Sequence, residues 1–357
     1  MTTTLRYGLL GISQGYYARV YSQAAAGTKG VEMVGICDLG RPEGYIRDCL
    51  GMSSAAFAEE IGAPLFHRAE EFFATSPNVV FVASEPCEHV EHAIAALNAG
   101  AHVLVAKPIA LAAEELDRLA AAAQKAGRVV LPGQPARYEE GMVHAAAEVR
   151  RGAIGRPLVV RLLVNHEAML APAWEKETHR SGGPLGTFGI YCFDLVRWLT
   201  GLEFTEVFAY GENFTLRGQI EDADNILVTG RLTGGTMVSI CLTSSVRWSY
   251  PFLDLEIIGE RRTLRVTYHN YTIITQGPEG VHYGPIRYSP MNQNELAHFL
   301  KAVRGLAEPC LTLRDAKQAL LLIEATRESI ARHAAVKLEA DFAREERRNR
   351  KSNGGGA

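Results

Sequence analysis

Short apolar runs that stop at a turn residue, with helical stretches between them, constrain the first third of this chain more than any other feature. Residues 5–11 run apolar into Gly11, a helical stretch covers about 15–26, and residues 31–37 are apolar again and stop at Asp38. Further strands are expected at 79–83, 102–106 and 128–131, with helices at 88–99 and 116–125 between and after them. Strands separated by helices pair in parallel through crossovers, so residues 1–131 read as one α/β layer around a parallel sheet.

The pattern changes after Pro132. Runs rich in β-branched and aromatic residues at 158–165, 204–214, 225–231, 236–243, 252–258 and 262–268 follow one another mostly without crossover helices. Such a series makes a mostly antiparallel sheet, with hairpin turns at Thr233-Gly234-Gly235 and Gly259-Glu260-Arg261. Helices are expected at 292–304 and 314–335. The fold expectation is therefore an α/β Rossmann domain followed by an α+β domain (132–340) with a large, mostly antiparallel open sheet. Its late helices are free to pack back on the first domain. Residues 341–357 carry charge and glycine with little to bury and read as a flexible tail.

Composition narrows the function classes. The chain has 357 residues, 47% of them hydrophobic, and a formal charge of -3. That is enough for two domain cores and lacks the basic surplus of a polyanion binder, so no nucleic-acid partner is expected. The six cysteines include no C-x-x-C pair, which disfavours a zinc site or a disulfide framework. No apolar run reaches membrane-spanning length and the first residues read as a strand, so the expectation is a cytoplasmic protein without a membrane partner.

Gly11 and Gly15 after the first strand suit a tight turn and a helix N-terminus facing a pyrophosphate, while Asp38 after the second strand suits ribose hydroxyls. Asp38 favours NAD, and nearby Arg41 keeps NADP open. Ser13 and Tyr16 stand where a full G-x-G-x-x-G fingerprint would carry glycine.

Two longer segments are more specific. SEPCEHVEHAIAALNAGAHVLVAKPIA (84–110) and SGGPLGTFGIYCFDLVRWLTG (181–201) resemble the two signature regions of the Gfo/Idh/MocA oxidoreductase family, and RGAIGRPLVV (151–160) and NELAHFLKAVRG (294–305) extend the likeness over nearly the whole chain. The resemblance implies a nicotinamide cofactor, a small-molecule substrate and a homo-oligomer, dimer or tetramer. The usual E-K-P signature reads Ala106-Lys107-Pro108, and the second signature carries Thr187, Gly189, Tyr191 and Asp194. The tyrosine resembles the glucose-fructose oxidoreductase, dihydrodiol dehydrogenase and xylose dehydrogenase branches.

On that likeness Lys107, Tyr191 and Asp194 are the expected catalytic residues. Gly11, Ser13, Gln14, Gly15, Tyr16, Asp38, Ser84, Glu85, His89 and Lys107 are expected to bind the cofactor. Tyr191 would act as acid/base with Lys107 as its electrostatic partner, Asp194 orienting substrate or lysine. Besides Lys107 and Tyr191, the substrate candidates are His166, Trp174, His179 and Arg180, with Arg137 and Tyr138 entering from the interdomain connection. His89 and His92 share a helical face, but no third metal ligand accompanies them, so no metal is expected. His282, Tyr283 and Tyr288 fall in a stretch read as a loop that closes over the pocket or meets another subunit. The expected activity is hydride transfer between nicotinamide and a secondary alcohol or carbonyl of a sugar, polyol or cyclic hydroxy compound. The alternatives are a nucleotide-retaining reaction without net redox change, and a non-catalytic sensor.

Overall fold

The computed structural model describes residues 4–167, 172–246, 252–268, 272–277, 280–285 and 290–338. Its first sheet holds β1 (Leu5–Leu10), β2 (Val31–Cys37), β3 (Leu65–Phe66), β4 (Val79–Val82), β5 (His102–Val105) and β6 (Val130–Pro132), all parallel, in the order β3-β2-β1-β4-β5-β6. The chain winds outward from β1 in one direction and from β4 in the other. The crevice between them, at the carboxyl ends, is where open α/β sheets take ligands.

Helices α1 (Gly15–Ala26), α2 (Glu43–Leu50), α3 (Ser54–Ile61), α4 (Ala69–Ala74), α5 (His89–Asn98) and α6 (Glu115–Ala126) connect these strands. Every residue of β4 is buried, as a strand covered on both faces requires. Along α1 the buried positions Ala18, Tyr21, Ser22 and Ala25 follow helical spacing and form one inward stripe. The stretch 39–78, which carries no clear periodicity, supplies α2, α3, β3 and α4.

The second sheet is built from β7 (Pro157–Asn165), β8 (Phe204–Glu212), β9 (Asn225–Leu232), β10 (Met237–Thr243), β11 (Leu253–Gly259), β12 (Thr263–Tyr268), β13 (Thr272–Gly277), β14 (Gly280–Pro285) and β15 (Val336–Lys337). Its order is β14-β13-β12-β11-β7-β10-β9-β8-β15. All its pairings are antiparallel except β7 with β10, so it is mixed rather than uniform. Strands β13 and β14 pair antiparallel, and β14 falls in the stretch around His282 and Tyr283 that reads from sequence as loop. His282 and Tyr283 lie on β14, and their side chains, like Tyr288 and the tail 341–357, fall outside the described residues.

Helices α7 (Glu140–Arg150), α8 (Thr178–Ser181), α9 (Ile190–Thr200), α10 (Met291–Val303) and α11 (Leu313–Arg332) complete the chain. On β9 and β10 the residues Ile226, Val228, Val238, Ile240 and Leu242 point into a core shared with α9 and α11, while Leu227 and Met237 stand on the open face. The late helix α10 leaves this core and covers α1 instead. Its Leu296, Phe299 and Leu300 join Tyr21, Phe57 and Phe81 in the other cluster. No helix among the described residues is long and apolar enough to cross a membrane.

Candidate active site

Gly11 ends β1 with φ +79°, and a Cβ there would come within 2.7 Å of the Ser84 backbone, so only glycine lets the β1–α1 turn approach the end of β4 this closely. The turn delivers Ser13, Gln14 and Gly15 to the mouth of a cavity of about 620 Å³. Across the cavity lie Lys107 and Pro108 after β5, Tyr17 of α1, and from the second domain His166, Trp174, Glu175, Thr187, Phe188, Tyr191 and Phe252.

Lys107 is buried, and its Nζ donates to the Thr187 carbonyl at 2.8 Å. It sits 5.0 Å from the centroids of both the Tyr191 and Phe188 rings, within cation–π range. Burial pulls the ammonium below the usual lysine range, with Glu175 opposing that shift. Glu175 is pushed up by the same burial and pulled back by Lys107. The Tyr191 hydroxyl meets the Tyr17 hydroxyl at 3.2 Å. A five-residue π-helical segment, Leu185–Gly189, precedes α9, and its Thr187 carbonyl is the one that holds the lysine. Such irregular turns are frequent at functional sites.

The other expected residues divide by position. Ser13, Gln14, Gly15, Tyr16, His166 and Trp174 join Lys107 and Tyr191 in the cavity wall, His166 stacked at 4.3 Å on Phe188. Gln14 donates to the Lys107 carbonyl at 2.9 Å, while its buried Oε1 has no partner among the described residues. Tyr16 is mostly exposed, and its hydroxyl accepts from Asn292 at 3.1 Å.

Asp194 and Arg137 do not reach the cavity, which corrects the orienting and substrate roles expected of them. They are buried and grip each other through two bonds, at 2.6 and 2.8 Å, because neither charge can be left alone away from water. His89 is also enclosed. Its two ring nitrogens face the carbonyls of Pro108 and Ser84 at 2.8 and 3.0 Å, so it ties the β4 end to the lysine segment instead of facing a ligand. Burial pushes it down to about 4. His92 turns to the Ser84 hydroxyl at 2.8 Å. His179 is exposed near Glu177, outside the lining, and Arg180 is held by Glu85 at 2.6 and 2.7 Å. Tyr138 lies against His298 and Cys310. Among the described residues, no three His, Cys, Asp or Glu side chains gather to hold a metal.

The residues fit a dinucleotide at its nicotinamide and pyrophosphate end. The first turn of α1 has no acidic side chain and no side-chain cap, the orphaned Gln14 Oε1 is placed to accept from a carboxamide, and Lys107 lies beyond it. The carboxylate of Asp38 accepts from Gly40 N at 2.9 Å and faces His67 at 2.9 Å. Between it and the β4 end run Arg41–Glu88 and Tyr45–Glu85, so α2 closes that arm in this conformation.

Tyr17, Tyr45, Cys49 and Glu175 were not singled out from the sequence. Tyr17 lies just beyond the glycine turn, and Glu175 directly follows the expected substrate residue Trp174. The contribution of α2 had no signal, because nothing in its composition says that it folds over the cleft.

A parallel-sheet nucleotide domain joined to a large mixed sheet, with a lysine from one facing a tyrosine from the other, defines a two-domain oxidoreductase architecture. Residues 5–134 match the family described as an oxidoreductase family with an NAD-binding Rossmann fold, and residues 142–265 match the Gfo/Idh/MocA C-terminal domain. The chain belongs to the Gfo/Idh/MocA oxidoreductase family.

It is 28% identical to the myo-inositol 2-dehydrogenase of Thermotoga maritima, over 79% of this chain and 86% of that one. It is 24% identical to the 1,5-anhydro-D-fructose reductase of Ensifer adhaerens, over 87% and 91%. The solved oxidoreductase domain protein of Kribbella flavida shares the fold at a TM-score of 0.82 and 22% identity, covering 95% of this chain and 100% of that one.

Proposed function

We propose that the protein is an NAD(P)-dependent dehydrogenase or reductase that interconverts a secondary alcohol and a carbonyl on a sugar, polyol or cyclic hydroxy compound. The observation that carries this reading is the convergence of Lys107 and Tyr191, from different domains, in a cavity that reaches the first turn of α1. Nicotinamide, when bound, supplies the hydride acceptor or donor.

The protein residues then move one proton and hold one oxygen. Lys107 spends one N–H on Thr187 and keeps two for the substrate oxygen. Tyr191 takes the hydroxyl proton during oxidation and returns it during reduction, its phenolate stabilised by the ammonium beside the ring. Tyr17 hydrogen-bonds Tyr191 and fixes the direction of that transfer. Trp174 and Phe188 supply apolar walls, as small-molecule pockets require. Copies of the chain are proposed to pair through the open sheet face bearing Tyr210, Leu227 and Met237, with light scattering as the check.

The test is to identify nucleotide released from purified protein and then follow the near-ultraviolet absorbance of reduced nicotinamide with a polyol panel. Net reduction supports the reading. Conversion with retained nucleotide and no net change would assign a cycle without net redox. A protein that holds no nucleotide under any condition would sink both. Tyr191→Phe is expected to lower kcat by roughly 10²–10⁴-fold while leaving cofactor affinity within about twofold, because its hydroxyl acts on the proton and not on the nucleotide.

A further inference from the structure

Two acids line the cavity, Glu167 and Glu175, and the less exposed of them, Glu175, is left without a task by the reaction above. It sits on the short turn Ala173–Lys176, between buried Trp174 and the lysine-bearing wall. Its carboxylate makes no hydrogen bond among the described residues, unlike those of Glu85 and Asp194. Glu85 holds Arg180 and Tyr45, and Asp194 holds Arg137. The cations that would suit an acidic substrate are spent in the same way, Arg180 on Glu85 and Glu177, Arg137 on Asp194 and Arg41 on Glu88. Among the described lining residues this leaves Lys107 as the one lysine or arginine, with Glu167 and Glu175 as the acids.

We propose that Glu175 sets the charge of the substrate, so that the pocket accepts a polyhydroxy ring whose far side offers a hydroxyl or an ammonium and rejects carboxylates and phosphates. This rests on the dehydrogenase reading, in which Lys107 is committed to the reacting oxygen. While ionised, the Glu175 carboxylate only accepts and so demands a donor, and an anion beside it must either face like charge in a partly dried cavity or first drive a proton onto the carboxyl. Burial already disfavours the Glu175 charge, so a substrate ammonium gains by restoring it and a substrate anion adds to the penalty.

The test uses intact protein loaded with nucleotide, and fluorescence of the reduced nicotinamide first reports cofactor binding. Failure at that step overturns the dehydrogenase reading itself. Calorimetry then compares matched ligands: glucose with glucosamine and glucuronate, and myo-inositol with its amino and phosphate derivatives. The neutral and amino members are expected to bind at least about tenfold tighter than the acids. Glu175→Gln is expected to weaken the amino member by about tenfold and the neutral one by less than about threefold. Acids that bind as well as neutral ligands, an amino ligand indifferent to Glu175→Gln, or no binding by any neutral or amino member would each overturn the proposal.

A different observation carries a second inference, on α2. A Rossmann crossover from β2 to β3 needs one helix, and here two lie in it. The extra one, α2, is fastened across the cleft. Tyr45 donates to Glu85 and lies within hydrogen-bonding reach of Ser13, and the Arg41 guanidinium lies 5.6 Å over the Tyr45 ring while pairing with Glu88. The Cys49 carbonyl lies so close to Gly15 that a Cβ there would be 2.0 Å from it, and Arg19 donates to the Leu50 carbonyl at 3.0 Å. Thus the negative, carbonyl end of α2 rests against the first turn of α1, where a nucleotide phosphate would be attracted. The fastening is incomplete, since Arg41 Nε and Glu88 Oε2 are buried without partners among the described residues.

We infer that α2 is a displaceable latch, and that a dinucleotide seats its adenosine arm only after Tyr45 and Arg41 let go of Glu85 and Glu88. Stopped-flow binding of NADH should then show an observed rate that saturates with concentration, as an opening step demands. Tyr45→Phe should raise the plateau by about tenfold, for the loss of one charge-assisted hydrogen bond. Hydrogen exchange at residues 43–50 should quicken when NADH is bound. A rate that stays linear in NADH, or α2 amides that are equally or more protected in the complex, would overturn the latch.

Discussion

The buried pair of Arg137 and Asp194 shows how a site residue and a structural residue come to look alike. Asp194 lies in the second signature segment, on the same helix as Tyr191, three residues along. That spacing alone cannot decide which way a carboxylate points. In the fold it points to Arg137, which follows the β6 strand, so the pair joins the edge of the first domain to α9. Asp194→Asn is expected to destabilise the protein by about 3–5 kcal/mol, because it leaves a guanidinium buried without its counter-charge. Arg137→Met combined with Asp194→Leu should recover much of that loss. Thermal melts check the stability, and turnover per folded molecule should stay within about threefold of the wild type. A fall in kcat on the scale of Tyr191→Phe, in protein that remains folded, would return Asp194 to the chemistry.

At the scale of elements, the outline was legible wherever periodicity was undisturbed. Helix α1, strand β2 and strands β7 to β12 follow apolar patterns that local sequence determines. Lys107 was equally legible, because a lysine directly after an apolar strand in a parallel sheet must emerge at the ligand-binding edge. The pair β13–β14 was not, since its glycines and prolines read as loop and its strands are specified by pairing outward from β12, β13 on β12 and β14 on β13. Nor was α2, whose position depends on contacts with Ser13 and Gly15 of the β1–α1 turn and with Glu85 after β4. The π-helical segment before α9 belongs with these. Its Gly189 has Leu185 Cδ1 only 2.8 Å from where a Cβ would stand, so the tight packing that presents Thr187 is a property of the folded turn. Gly189→Val is expected to push Leu185 outward and disturb the Thr187 carbonyl. The expected result is retained secondary structure by circular dichroism with kcat reduced by roughly tenfold or more, as a misplaced catalytic group entails. Retained kcat would show that Lys107 does not depend on this turn.

On the scale of the whole molecule, the late return of α10 onto α1 makes the first domain depend on the end of the chain. The contact is apolar through Leu296, Phe299 and Leu300, and polar at Glu295, which is fully buried. Glu295 accepts from Gln134 N at 2.6 Å and from the Tyr21 hydroxyl, so one carboxyl links α10, α1 and the connection after β6. Burial pushes it up to about 8, although both hydrogen bonds and Asp194 also act on it. The sign of the linkage follows from that direction. A carboxyl with a folded-state value above its unfolded one is favoured by folding when protonated, so its contribution is whole below about pH 4.3. It is lost progressively as pH rises through the folded value of about 8. Glu295→Gln keeps an acceptor for Gln134 N and cannot ionise. Thermal melts between pH 5 and pH 9 should therefore show a shallower decline for Glu295→Gln than for the wild type, with the variant the more stable of the two at the alkaline end. Parallel pH profiles would mean that Glu295 stays ionised throughout, held by its hydrogen bonds against the cost of burial. A fragment ending after β6 extends the same dependence. Without α10 it would expose the apolar face of α1 around Tyr21, and it should bind a hydrophobic dye and melt without a cooperative transition, whereas adding residues 290–312 in trans should restore one.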